Sequence, residues 1–514
     1  MAGFVAANLL GLLRQVIINY TFGTSAALDA YFAAFRAPDL LFTVIAGGAL
    51  GSAFIPMFGG MLAEGEGGPA RAWRLASAVL NNLLLALCLI AALAALAAPV
   101  LVRTLLAPGF PPAQQALTAA LMRVMLLSTI IFGVSGLLMG VHNAHHHFLS
   151  PAIAPILYNL GIIGGALMAQ REQARGLPLQ GVYWLAWGVV AGAAMHLLVQ
   201  LPALVRHRPR YTLALDWADS AVRQVGKLML PRMFGLAVWQ INFWVNVAIA
   251  STLPSGSLSA LTIAFQVFTF PQAAIAQAIA TAVFPTFSAQ AARGEREALG
   301  QTLTTALRLT LFLALPATAG MLLLGKPIIA LVFEHGQFTA QSTALVAWGL
   351  AWYGVGLVGH SVVEVVTRAF YALKDTRTPV MVGAGAMALN VIFSLTFTRV
   401  FTVWGWPPLG GLALANSLAT AIEMLGLVIL LVGPGGEVGA RGIPLNRPSL
   451  LASVSRAAAA SAVMALAVWA WARWLPSPTW LTGLGGAAAG GAVYFALAWA
   501  LRSEEMGTLL RGRG

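Results

Sequence analysis

Apolar runs of about 20 residues, the length a helix needs to cross the hydrocarbon core of a bilayer, recur along the whole chain. They fall at 4–21, 29–61, 73–99, 115–141, 151–170, 181–205, 222–251, 258–290, 303–324, 340–367, 378–400, 409–433, 450–472 and 480–501, fourteen in all. Short polar breaks separate them. The second, eighth and tenth are too long for one straight crossing, which predicts that they bend or run past the membrane. Pro56 and Pro285 fall late in two of them. The pattern predicts an all-α polytopic membrane protein.

Composition agrees. Of 514 residues, 59% are hydrophobic and 9% charged, and the mean hydropathy is +0.83. An average soluble domain carries roughly 25% charged residues, so a soluble domain of any size is excluded. The 53 glycines and 26 prolines suit close helix packing and broken helices in a membrane. The first span is not a signal peptide, because no basic region precedes it and no small-residue cleavage site follows. The lack of residues before Met1-Ala2-Gly3 hints at a late start codon. A single cysteine, Cys88, excludes an intramolecular disulfide framework.

A net charge of +13 raises the question of nucleic acid, but no dense basic patch interleaved with aromatics exists. The basic residues instead segregate. One set of loops and ends holds nineteen: Arg71, Arg74, Arg206, Arg208, Arg210, Arg223, Lys227, Arg293, Arg296, Arg308, Arg368, Lys374, Arg377, Arg441, Arg447, Arg456, Arg502, Arg511 and Arg513. The other holds six: Arg103, Arg171, Arg175, Lys326, Arg399 and Arg473. Basic loops stay cytoplasmic, so this bias predicts that both termini are cytoplasmic. Arg14, Arg36, Arg123 and Arg232 lie inside spans. A charge at mid-bilayer costs at least about 2.5–3.5 kcal/mol, so such residues face a protein interior or a wet cavity.

The chain also repeats itself. Pro56 and Pro285 are 229 apart, Phe110 and Phe338 are 228 apart, Pro151 and Pro379 are 228 apart, and Phe35 and Phe265 are 230 apart. The repeat predicts two lobes of six helices, 1–205 and 222–433, in the same membrane orientation and related by a pseudo-two-fold axis along the membrane normal. Transporters built this way hold substrate between the halves. Spans thirteen and fourteen (450–501) and a tail at 502–514 lie outside the repeat.

The segments GLLRQVIINYTFGTSAALDAYFAAFRAPDLL (11–41), FEHGQFTAQST (333–343) and RAFYALKDTRTPV (368–380) resemble the MurJ/MviN lipid II flippases of the multidrug/oligosaccharidyl-lipid/polysaccharide exporter superfamily. The resemblance covers nearly the whole chain. It implies two lobes in a V around a cationic cavity, with two further helices forming a groove for a lipid tail. The implied task is to turn a lipid-linked peptidoglycan precursor from the inner to the outer leaflet of the bacterial inner membrane.

The resemblance places Arg14 at the second arginine of the family's S-R-x-x-G-x-x-R-D pattern, Asp29 at the acid of T-D-A-F, and Arg36 at a basic position before x-P-N. A guanidinium offers two parallel donors to a pyrophosphate, which gives Arg14 a reason to be in the membrane. The first arginine of the pattern is Asn8 here, and the acid after the second is Gln15. The second-helix arginine is Phe42, A-E-G-A reads Ala-Gly-Gly-Ala at 46–49, and an Asp-Arg pair on the eighth helix reads Phe265-Gln266. The expected substrate site is therefore Arg14 with Asp29, Arg36 and the amides of Asn8 and Gln266. Arg14 has no acid one helical turn away, so Asp29 or Asp39 is the expected neutralising partner. Spans seven and eleven carry no Asp or Glu, so no sodium site built from acids is expected there.

Other signals are weaker. GMLLLGKP (320–327) fits G-x-x-x-x-G-K but ends in Pro327 where a Mg²⁺-binding hydroxyl belongs. His142, His145, His146 and His147 crowd a cytoplasmic turn without an acid or cysteine, which reads as loop rather than metal site. Glu364 and Arg368 are spaced for a local ion pair, and Glu423 has no evident partner; both acids are candidates for coupling to a cation or proton. No cluster of acids suits a Mg²⁺-dependent glycosyltransferase. No enzyme activity, cofactor or metal is expected. The expected partners are an undecaprenyl-pyrophosphate-linked glycan, membrane lipids and cell-wall synthesis proteins, for a chain acting as a monomer. The alternatives are an exporter of another polyprenyl-linked glycan or a small cation, or a transport-dead scaffold of cell-wall synthesis.

Overall fold

The computed structural model of the chain describes residues 2–47, 49–176, 178–432, 442–474 and 478–511. Gly48 of the Ala-Gly-Gly-Ala segment, Arg441, Arg513 and the side chain of Arg232 lie outside the described residues. Every regular element among those described is helical. α1 (Ala2–Phe22) and α2 (Ala26–Leu41) come first. A π-helical stretch, Phe42–Gly47, leads to α3 (Ala49–Ala63). Then follow α4 (Gly68–Leu101), α5 (Pro112–Ala144), α6 (Leu149–Ala174), α7 (Pro178–Leu198), α8 (Leu201–Arg206) and α9 (Ser220–Ser251). α10 (Ser257–Gln272) passes through a π-helical stretch, Ala273–Gln277, into α11 (Ala278–Ala292). The rest are α12 (Arg296–Phe333), α13 (Ala340–Val355), α14 (Leu357–Ala372), α15 (Arg377–Val403), α16 (Leu409–Val432), α17 (Arg447–Trp474), α18 (Gly486–Ala500) and α19 (Glu504–Arg511).

Each of the fourteen apolar segments coincides with helix. Among the described residues, ten helices are long and apolar enough to cross a membrane, or eleven when the α13–α14 pair, bent by 46°, counts as one span. The over-long segments resolve in two ways. The second and eighth pass through π-helical stretches, where the hydrogen-bonding pattern changes. The tenth breaks at Gly356, where a Cβ would lie 2.5 Å from Ser417 Oγ. Ser417 Oγ in turn donates to the Trp352 carbonyl (2.7 Å), one of the acceptors near the break.

The repeat reaches the helix boundaries. α4, α5 and α6 begin at Gly68, Pro112 and Leu149, and α12, α13 and α15 begin at Arg296, Ala340 and Arg377, each displaced by 228. α2 and α10 begin 231 apart, and both run into a π-helical stretch. Local chemistry sets these starts. Ser25 Oγ caps α2 by accepting from the Leu28 amide (3.3 Å), and Asp219 caps α9 by accepting from the Ala221 amide (2.7 Å). Pro112 opens α5, where a missing N–H is harmless.

The described chain forms two compact units, Met1–Ser259 with His335–Phe338, and Ala260–Glu334 with Thr339–Gly514. The contact boundary thus falls after α9, whereas the repeat divides the chain before it. The reason is packing: α9 lies on α3, and its Val225 joins a core of Phe54, Phe58, Trp73, Leu83 and Leu137 from α3, α4 and α5. In the second unit Phe287, Leu303, Val365, Phe370 and Leu427 join α11, α12, α14 and α16. A separate core there, with Phe312, Met464 and Tyr494, binds α17 and α18 to α12. α19 is clasped at one cation. Arg308 on α12 meets Glu505 (2.6 Å) and Glu504 (2.8 Å) and donates to Ser449 (2.7 Å), while Ser453 donates to Glu505 (2.8 Å).

Candidate functional site

Arg14 sits in the middle of α1, half-buried, on the face that packs against α6. Its Nη1 donates to Asn159 Oδ1 at 3.0 Å. Asn159 is itself fixed, because its Nδ2 donates to the carbonyls of Pro155 (3.0 Å) and Ala7 (3.2 Å). Tyr31 of α2 and Tyr158 of α6 lie within electrostatic reach of the guanidinium. No acid pairs with Arg14 among the described residues. An amide orients this cation without neutralising it, and its remaining donors keep the fork geometry that suits phosphate oxygens.

The expected acid partners are engaged elsewhere. Asp29, buried at the start of α2, accepts from the backbone amides of Gly256 (2.6 Å) and Ser259 (2.7 Å). It caps the first turn of α10, whose amides lack helical acceptors. Both of its oxygens are engaged in this way, and no bond joins Asp29 to Arg14 among the described residues. Asp39 is within 3.5 Å of the Gln240 amide of α9. Arg36, three residues before it, places its guanidinium carbon 5.5 Å from the centre of the Phe243 ring, a cation–π contact.

Asn8 is exposed on α1, and the described residues give it no bond to Arg14; Asn159 supplies the amide that sequence reasoning had given to Asn8. The segment SPAIAPILYN held that signal, but its repeat drew attention to Pro151 rather than to its terminal asparagine. Gln266 belongs to the second unit, half-buried on α10. Beside it Phe265 stacks edge-on with Tyr353 (5.4 Å), so an aromatic cluster stands where a charge pair was expected from the resemblance. Phe42 likewise packs on Phe132 (4.8 Å).

Of the candidate coupling acids, Glu364 pairs with Arg368 one turn on (2.9 Å), with both side chains about one-third exposed or less. Glu423 is half-buried on α16, with its Oε1 3.2 Å from where Gly383 would carry a Cβ. It makes no hydrogen bond or ion pair among the described residues. Arg123 donates to the Ala95 carbonyl (2.9 Å). GMLLLGKP lies inside the continuous helix α12 and forms no phosphate-cradling loop. No group of three or more His, Cys, Asp or Glu among the described residues is placed to hold a metal ion.

The motif FEHGQFTAQST has a structural role in the first unit. The Gln337 amide donates to the Tyr20 carbonyl at the end of α1 (2.8 Å). Gly336 has φ +62°, and a Cβ there would lie 2.5 Å from the same carbonyl, so this turn requires glycine.

Comparison with known proteins follows the same line. The family model described as lipid II flippase MurJ matches residues 18–484. The chain is 30% identical over 521 residues to the probable lipid II flippase MurJ of Rhizobium meliloti (strain 1021), covering 99% of this chain and 94% of that one. It is 30% identical over 406 residues to the lipid II flippase MurJ of Burkholderia cenocepacia, covering 77% of each. In fold it resembles a solved lipid II flippase MurJ in an inward closed conformation, with a TM-score of 0.80 at 24% identity over 97% of both chains. With the match extending over most of its length, the chain belongs to the lipid II flippase MurJ family.

Proposed function

We propose that this chain is a flippase that carries lipid II, an undecaprenyl-pyrophosphate-linked peptidoglycan precursor, from the inner to the outer leaflet by alternating access, with Arg14 holding the pyrophosphate. It is a transporter, not an enzyme, and no bond is made or broken. The observation that carries the site is the guanidinium of Arg14, held in a membrane helix by an amide and left without an acid. Such a cation favours an anionic group, because no acid among the described residues pairs with it.

Arg36 supplies a second cation on α2, while Glu364 and Glu423 in the second unit are the candidate coupling acids. The nineteen-to-six bias of basic residues supports cytoplasmic termini. The repeat supports two lobes, 1–205 and 222–433, with 450–501 serving the lipid tail and the chain acting as a monomer. A second reading has its own support. Phe42 and Phe265 replace expected charges and pack among aromatics, which favours a less anionic cargo, such as another polyprenyl-linked glycan or a small cation.

The test is reconstitution. Vesicles holding the full chain should flip a pyrophosphate-linked lipid, and the chain should rescue cells depleted of their own flippase. Flipping of a monophosphate-linked glycan alone would support the second reading. Rescue without flipping would point to a scaffold for cell-wall synthesis proteins.

A further inference from the structure

A second polar system lies in the first unit, apart from Arg14, along the seam where α5 packs on α7 and α8. Ser135, His142 and Gln200 are fully buried, and His196 nearly so. Ser135 Oγ is 2.6 Å from His196 Nδ1. Gln200 Nε2 donates to Ser135 Oγ (2.6 Å) and to the His196 carbonyl (2.9 Å). His142 Nε2 is 3.0 Å from the Gln200 carbonyl and must donate to it, since a carbonyl only accepts. Beyond His142 the rings of His147 (5.5 Å) and His207 (6.1 Å) follow, and His207 lies 4.0 Å from His145. These last three are half-exposed.

The network is short of protons. With Nε2 donating, neutral His142 has an acceptor at Nδ1, and that atom is buried without a partner among the described residues, as is Gln200 Oε1. Buried acceptors lacking donors are costly, and a proton on His142 Nδ1 removes one of them, while burial opposes the charge that it brings. The inner end can also absorb one. Ser135 gives its hydrogen to His196 Nδ1 when that ring is neutral. When the ring is protonated, Nδ1 donates to Ser135 Oγ, and the hydroxyl turns to the His196 carbonyl, 3.4 Å away. Every member of that trio stays bonded in both states.

Among the described residues no fixed charge is buried in the seam, and Arg206 at the end of α8 is exposed. On α2, Asp29 is held by the Gly256 and Ser259 amides, and Asp39 lies by Gln240, with Arg36 over Phe243. On α6, Phe132 of α5 separates Tyr158 from His196, and Glu172 pairs with Arg175. On α4, Arg71 and Arg74 pair with Glu64 and Asp216, and α3 has no charged residue. At the outer end, burial and the neighbouring His145 and His147 hold His207 below the ordinary histidine range. The imidazoles there thus compete for protons rather than share them.

We propose that the α5–α7 seam is a proton-binding site, loaded from the aqueous cluster of His145, His147 and His207 onto His142 and His196, which makes flipping responsive to pH. The proton comes from water on that side and returns to water. The last clause rests on the flippase reading; the site itself does not.

The test has two arms. Nitrogen NMR of imidazole-labelled full-length protein in nanodiscs follows each ring, with His142→Gln and His196→Gln as assignments. At least one of the two buried rings is expected to pass from neutral to protonated between about pH 8 and pH 5. Both rings remaining neutral throughout that range would overturn the proposal. In vesicles, the wild-type flipping rate is expected to change about tenfold over the same range, and His196→Gln to flatten the profile. Should the buried variants fold poorly, a triple variant of His145, His147 and His207 to glutamine leaves the buried network whole and is expected to slow proton uptake. Folded variants with the wild-type pH profile would overturn the coupling. A wild type that flips nothing at any pH would break the flippase reading, while the NMR arm would still decide the proton site.

Discussion

The two copies of the repeat share their helical frame and differ in their interior chemistry. At the 228 offset that relates the starts of α5 and α13 and of α6 and α15, Ser135 and His142 correspond to Val363 and Phe370, and Asn159 corresponds to Met387. At 229, which relates the ends of α1 and α9, Arg14 corresponds to Phe243. At 231, between α2 and α10, Asp29 corresponds to Ala260. The second copy places His360 where the first has Phe132, and bonds it to Asn416 (3.0 Å). Charge and hydrogen bonding have thus diverged while helix starts have not. The shared starts of α4, α5 and α6 with α12, α13 and α15 thus persist over interiors that carry different chemistry.

The sharpest break concerns what only the second copy carries. α19 is anchored by Arg308 on α12, and the matching position on α4 is Leu80. Arg308→Ala leaves Glu505 buried without its cation and is expected to cost about 3–5 kcal/mol, seen as loss of amide protection in α19. Next is the bend. Gly356→Ala forces a methyl against Ser417 and is expected to cost about 1–3 kcal/mol in thermal unfolding. Ser128→Ala, at the matching position in the unbroken α5, loses one hydrogen bond to the Met125 carbonyl and should cost no more than about 1 kcal/mol. Equal effects would mean that the bend is not specified by Gly356.

Asp29→Ala removes the cap from α10 and is expected to cost about 0.5–2 kcal/mol, with Asp29→Asn closer to wild type. The smallest effect is a pH dependence. Burial opposes the charge of Glu505, but its own amide, Ser453 and Arg308 outweigh that and hold its carboxyl below the usual glutamate range. Stability from this clasp is then full above the ordinary glutamate value and is lost as the pH falls through the lowered one. Amide protection of α19 should follow that course, and Glu505→Gln should abolish it.

Much of this was legible in the sequence. Apolar length located the long helices, because a span must satisfy its own backbone in lipid, but not α19, which lies in the polar tail. The repeat offsets, read from four weak matches, return in the helix starts. The irregularities in the over-long segments were legible as excess length, though not their form, since a π-helical stretch and a break at glycine look alike in hydropathy. The site was less legible. Arg14 stood out as a charge in an apolar run, but its partner did not: Asn159 lies 145 residues away, and nothing along one helix marks which amide a second helix will bring. The partners of Asp29 were hidden for the same reason. The amides of Gly256 and Ser259 that it accepts from lie more than 220 residues on. The histidines read as a solvated turn because Ser135, His196 and Gln200 are unremarkable alone and meet only when α5 and α7 pack.

The central claim is that the charged site belongs to the first copy and that Arg14 is its anion ligand. The most direct measurement is equilibrium binding of a pyrophosphate-linked lipid to the full chain in nanodiscs, at matched folded protein, for wild type, Arg14→Ala and Arg14→Lys. Removing a charged donor to phosphate should weaken binding by about 1.5–3 kcal/mol, a factor of about 10 to 150. Lysine should restore little of this, because a point charge loses the paired donors of the fork. Binding by Arg14→Ala within about twofold of wild type would contradict the account, because the substrate pyrophosphate would then be held elsewhere.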